Sequence, residues 1–197
     1  MLDKITSLDH GTHAHFHFMI RQHPELVPPM QLANQLGGYV GSCAVLALAI
    51  LVWLARGQAR AALITLLGFL GSFGLIEAIR AFVKRERPDD AADTLARTVD
   101  PLGQLLGLDP RVGGFPAPGV FLFTLALLLL LFALLPLATT KTTRTLLAVP
   151  AVLLILWMTM GQLMLSMHYL TDIVPALVAS ICVAFVLRSF TLAQAQE

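Results

Sequence analysis

Residues 119–138 read GVFLFTLALLLLLFALLPLA, twenty positions without one charged side chain. At a helical rise of about 1.5 Å per residue, a run of that length crosses the ~30 Å hydrocarbon core of a bilayer. No polar stripe recurs along it, so it lacks the one-sided pattern of a helix on a soluble domain. Backbone amides in lipid have no water to bond with, and a continuous helix pairs them all internally. The stretch places the chain among all-α membrane proteins.

Outward from it in both directions, similar runs rich in Leu, Ala, Val and Ile lie at 39–55, 61–79, 146–166 and 170–187. A bundle of five transmembrane helices is expected. Residues 10–36 differ, because Arg21, His23, Pro24, Pro28 and Pro29 interrupt the apolar pattern. They predict an N-terminal interfacial helix followed by a turn. One integral-membrane domain over 1–197 accounts for the chain.

Composition points the same way: 57% of the 197 residues are hydrophobic and 13% charged, with a mean hydropathy of +0.78. A soluble domain carries about a quarter charged residues. A net charge of +1 gives no basic face, so nucleic acid is not an expected partner. Cys43 and Cys182 fall inside apolar runs and read as small core residues, outside any disulfide framework.

Charge placement orients the spans. Arg56 and Arg60, Lys141 and Arg144, and Arg188 occupy alternate connections that fall on one side. Short basic loops are cytoplasmic by the positive-inside rule. The N-terminal segment, the 89–118 connection and the junction of the last two spans then face outward. The expected location is a multi-pass cell membrane, the bacterial inner membrane, with any site on the outer side. A short helix is expected at 91–99.

Chemistry-capable residues collect on that outer side. The segment Arg80-Ala-Phe-Val-Lys84-Arg85-Glu86-Arg87-Pro88 closes the second span. A helix continued to Arg87 would put Arg80, Lys84 and Arg87 on one face, as a cradle for phosphate oxygens. Equally, basic residues at a helix C-terminus complement its dipole and snorkel to the interface. Glu77, one turn earlier, is expected to pair with Arg80 and hold its rotamer. At the last junction, His168 and Asp172 are four apart in Met167-His168-Tyr169-Leu170-Thr171-Asp172. On a helix that spacing lets the carboxylate accept the imidazole N–H and prepare the ring as nucleophile or base. An interfacial histidine followed by a helix-capping aspartate has the same spacing.

With these residues in place, the chain resembles the type 2 phosphatidic acid phosphatase superfamily, which includes membrane lipid phosphatases and vanadium haloperoxidases. Its three blocks are K-x6-R-P, P-S-G-H and S-R-x5-H-x3-D. Here Arg80-x6-Arg87-Pro88 matches the first with Arg for Lys, and His168-x3-Asp172 matches the second half of the third. The resemblance implies catalytic roles for His168, which would form a phosphohistidine, and Asp172, which would orient it. It implies phosphate-binding roles for Arg80 and Arg87, to which the helical spacing adds Lys84, with Gln162 and Gly119 at the remaining positions of the implied phosphate site. No metal or other cofactor is implied. The implied partners are membrane lipids and an anionic lipid phosphate, phosphatidate-like or an isoprenyl (di)phosphate.

Two blocks depart from the pattern. Phe115-Pro116-Ala117-Pro118-Gly119 stands where F-P-S-G-H is expected, so Gly119 replaces the histidine that protonates the leaving oxygen. Gly161-Gln162 stands where S-R is expected, so the neutral amide of Gln162 replaces a phosphate-gripping guanidinium. A substitute proton donor could come from the His10, His13, His15 and His17 cluster, which reads equally as a solvated group. Two functions remain open: a lipid-phosphate phosphatase of weakened activity, or a non-catalytic relative that binds an anionic lipid or a membrane partner.

Overall fold

The computed structural model describes residues 2–88 and 114–193, so the helix expected at 91–99 lies outside the described residues. Among the described residues there are seven α-helices and no strand. In chain order they are α1 (Leu2–Gln22), α2 (Val27–Leu36), α3 (Tyr39–Ala55), α4 (Ala59–Val83), α5 (Pro118–Leu134), α6 (Lys141–Met164) and α7 (Leu170–Ala193). A short 3-10 turn, Leu135–Leu137, extends α5.

Four of these, α4, extended α5, α6 and α7, are each long and apolar enough to cross a membrane. A fifth crossing exists only if the bent helix pair that precedes α4 counts as one span. The segment Pro24–Leu36 and α3 pass the same test only together, and they meet at a 53° bend. Gly37 and Gly38 occupy the corner, and Gly41 makes it possible. A Cβ on Gly41 would sit 1.8 Å from the carbonyl oxygen of Leu36, so only a residue without one fits. The chain is a multi-pass, all-helical membrane protein.

Two helix ends, the start of α6 and the end of α4, lie beyond the apolar runs that announced them. α6 starts at Lys141 because Thr140 caps it, its hydroxyl accepting from the amide of Thr143 at 3.1 Å. Hydropathy marks the part of a helix inside lipid, whereas caps mark where the helix begins. α4 runs past Ile79 but stops at Val83, with Lys84 in the left-handed region at φ 48°. The helix expected to reach Arg87 therefore ends four residues early, and the shared face of Arg80, Lys84 and Arg87 does not form. An exposed Lys84 closes the helix instead.

The bundle is built around α5, of which 61% is buried, against 28% to 33% for the other three long spans. Lipid supplies little hydrophobic drive between helices, so close packing of small residues and polar contacts must hold them. Ala126, Ala133, Ala176 and Ala184 are fully buried at such contacts. Gly68 of α4 lets Leu187 of α7 approach until a Cβ there would meet the leucine methyls at 2.4 Å. Outer faces carry Leu63, Leu67, Leu70, Leu153, Leu156 and Phe185 exposed, as a lipid-facing surface requires. Cys43 and Cys182 belong to that surface too: both are exposed free thiols, not core residues. An apolar run around a whole helix cannot say which of its faces meets lipid and which meets protein.

The two ends of the bundle differ. At one, Arg56 donates to the carbonyl of Ala133 at 2.8 Å, and Arg188 lies over the Phe132 ring at 4.8 Å. At the other, the end of α4, the approach to α5 and the turn between α6 and α7 converge.

Candidate active site

Residues 165–169 join α6 to α7 and carry His168 between the helices rather than on one. The amide of Met167 bonds back to the carbonyl of Gln162 at 2.9 Å, and Ser166 takes a positive φ of 54°. The turn is thereby closed tightly over the end of α6, and His168 is buried. Its Nδ1 lies 2.8 Å from the carbonyl oxygen of Gly114. A carbonyl only accepts, so Nδ1 carries the proton and Nε2 keeps its lone pair. Gly114 in turn donates its amide to the carbonyl of Arg85 at 2.8 Å, which ties the approach to α5 to the segment leaving α4.

Asp172 does not complete the hydrogen bond expected from its four-residue spacing. Its Oδ2 is 4.0 Å from His168 Nδ1, because His168 precedes the helix and helical spacing does not apply to it. The carboxylate instead accepts from the amide of Tyr169 at 3.0 Å, the reach of an acid at the third helical position back to its cap. Its other oxygen takes Arg85 Nη1 at 2.7 Å. The capping role open to this aspartate is the one its geometry adopts.

Arg80 and Arg87 are both buried, and both act electrostatically on His168. Arg80 Nη1 reaches both oxygens of Glu77, at 2.8 and 2.7 Å, and the Tyr39 hydroxyl at 3.0 Å, while that hydroxyl donates to Glu77 at 2.7 Å. The expected Glu77–Arg80 pair is present, with Tyr39 joined to it. Burial holds the His168 imidazole well below its ordinary value of 6.5, with Arg87 and then Arg80 pushing the same way and Arg85 adding a smaller push. The Gly114 hydrogen bond opposes them. The ring is neutral, which is the form a nucleophile needs.

Gly119 and Gln162 contact the α2 region. A Cβ on Gly119 would meet the Gly37 carbonyl at 3.0 Å and the Gln162 amide nitrogen at 3.4 Å. The Gln162 amide donates to Asn34 in a short, buried contact. Gly161 would meet the carbonyl of Met30 at 3.0 Å and the Ala33 side chain at 3.1 Å. The positions that depart from the family pattern form the notch into which α2 is set.

Sequence reading missed Asp9, Arg85, Asn34 and the Gly114 carbonyl. Arg85 stands inside the basic run but was given no role, because the expected helix put its neighbours on the shared face. Asp9 carries no sequence signal at all. Of the histidine cluster, His10 and His13 approach the Tyr169 ring at 6.0 Å each, whereas His15 packs on Phe16. Among the described residues no group of three His, Cys, Asp or Glu is placed to hold a metal ion.

Comparison with known proteins bears on the fold and the family. The chain is similar to a transmembrane PAP2 type phosphatidylglycerolphosphate phosphatase from Bacillus subtilis, with a TM-score of 0.77 and 16% identity. The match covers 95% of this chain and 86% of that one, and at this identity the likeness is one of fold. No curated protein matches the chain. The family model of the PAP2 superfamily matches residues 61–195, well over half of the chain, and the chain belongs to that superfamily.

Proposed function

We propose that this chain is a lipid-phosphate hydrolase, one membrane domain over 1–197, with His168 as its nucleophile. The observation that carries this reading is the state of the imidazole. It is buried, its Nδ1 lies 2.8 Å from the Gly114 carbonyl oxygen, and three arginines act with that burial to favour the neutral ring. In the reaction the Nε2 lone pair forms a bond to phosphorus as the bond from phosphorus to the lipid oxygen breaks. The lipid oxygen takes a proton, and water then hydrolyses the phosphorus–nitrogen bond to release phosphate. Arg80 and Arg87 would hold the phosphoryl oxygens, while Asp172 would hold the helix start beside His168. Lys84 has no place in this group.

Without a histidine at 119, protonation of the leaving oxygen falls to water, at a cost of about 10²–10⁴-fold. A substrate with a good leaving group needs that help least, which favours an isoprenyl diphosphate over a simple phosphatidate. Placement of Arg56, Arg60, Lys141, Arg144 and Arg188 at the other end of the bundle supports an outward-facing site in a bacterial inner membrane.

A second reading, binding of an anionic lipid without turnover, is favoured by the notch. Gly119 lies against the Gly37 carbonyl at the end of α2, and Gln162 is engaged by Asn34 of α2. Purified protein in detergent, offered phosphatidate, phosphatidylglycerol phosphate and farnesyl diphosphate, separates the two. Phosphate release that His168→Ala abolishes supports hydrolysis. Retained lipid binding with no release from any of the three supports the second reading.

A further inference from the structure

Asp9 belongs to α1, the helix expected to lie on the membrane surface, yet it is buried. α1 packs against α6 and α7, and Asp9 is where it enters the bundle. Its Oδ2 accepts from Arg85 Nη2 at 2.6 Å and from the Thr171 hydroxyl at 2.5 Å, and its Oδ1 accepts from the Thr171 amide at 3.2 Å. Arg85 then spans to Asp172 at 2.7 Å and to the Thr171 hydroxyl at 2.8 Å, with its guanidinium 5.1 Å from the centre of the Tyr169 ring. Five contacts thus converge on residues 169–172, immediately after His168.

We infer that Asp9 is a positioning residue for the proposed reaction, holding the His168 turn in register through Arg85 and Thr171. The turn is gripped from two directions. Gly114 holds the imidazole from the α5 side, and Asp9 holds the start of α7 from the α1 side. Arg85 is shared between two buried carboxylates, so its charge is spent on holding the turn rather than on an incoming phosphate. A buried carboxylate with three charged or polar donors is costly to leave half-made. The pattern therefore demands that α1 be docked whenever the turn is ordered.

This inference rests on the hydrolase reading for its kinetic arm but not for its structural one. Asp9→Asn, Asp9→Glu and Thr171→Val are assayed as full-length protein on farnesyl diphosphate and on phosphatidate in detergent micelles, with hydrogen exchange followed on the same samples. Displacing a nucleophile by about 1 Å costs on the order of 100-fold. Asp9→Asn is expected to lower kcat by about 10- to 100-fold with KM little changed, and Asp9→Glu to recover most of it. Amide exchange should rise in 166–172 and stay unchanged in the middle of α5. Wild-type kcat in Asp9→Asn overturns the inference, as does unchanged exchange in 166–172. If Asp9→Asn does not fold, Thr171→Val decides: a kcat loss at unchanged KM supports the inference, and a wild-type rate overturns it. Absence of turnover in the wild type fails the hydrolase reading alone, and the exchange arm still settles whether Asp9 holds the turn.

Discussion

The chemistry of this protein turns on one imidazole whose neighbours were only partly visible in its sequence. His168 stood out because it follows the last histidine before it by 145 positions and precedes Asp172 by four. The bond between the two did not form, since the backbone between helices sets its own geometry and Gly114 arrived from a distant segment. No spacing rule predicts a backbone carbonyl as partner. The buried, neutral state of His168 has a consequence for stability. Its folded value lies well below 6.5, so below that pH the unfolded chain binds a proton that the folded chain does not. The stability it contributes is complete above pH 6.5 and is lost as pH falls from there toward the folded value. His168→Gln should flatten this acid loss, seen as thermal midpoints in detergent that fall less than those of wild type between about pH 6.5 and 5. Parallel curves for the two proteins would mean that the ring is not buried uncharged.

Among elements, the long spans were legible because lipid imposes a single requirement, continuous apolar helix, on every one of them. What the apolar pattern could not convey is how α2 behaves. It was expected as a turn near the interface. In the structure it is a helix pressed into α6 at Gly161, and its end at Gly37 lies against Gly119 of α5. Small residues at 119 and 161 are the condition for that contact, which explains in physical terms why two of the family blocks look eroded. Gly161→Ala would force the Met30 carbonyl or Ala33 to move, at an expected cost of about 1–3 kcal/mol, read from the unfolding midpoint. Gly119→His, which writes the family histidine back, is expected not to raise phosphate release, because the Gly37 carbonyl occupies its path. A clear gain in rate from that single change would show that α2 yields easily and that the notch is not closed.

For the whole molecule, composition was enough to place a multi-pass helical bundle, with four long apolar spans and a bent pair that would make a fifth. The N-terminal helix is the exception. A polar helix with four histidines reads as surface material, yet it delivers Asp9 to the far side of the candidate site, and only tertiary packing reveals it. The arrangement of basic loops predicts that a reporter fused after Glu197 is active only as a cytoplasmic marker; an extracytoplasmic signal would invert the bundle and the site with it. The most direct test of the chemistry is to trap the bond itself. Wild-type protein is mixed with farnesyl diphosphate carrying a radiolabelled terminal phosphate and quenched within its first turnover. Label that is stable in base, labile in acid and located on His168 by peptide mapping is the predicted result. Phosphate release that proceeds undiminished in His168→Ala, with no labelled protein at any time, would contradict it.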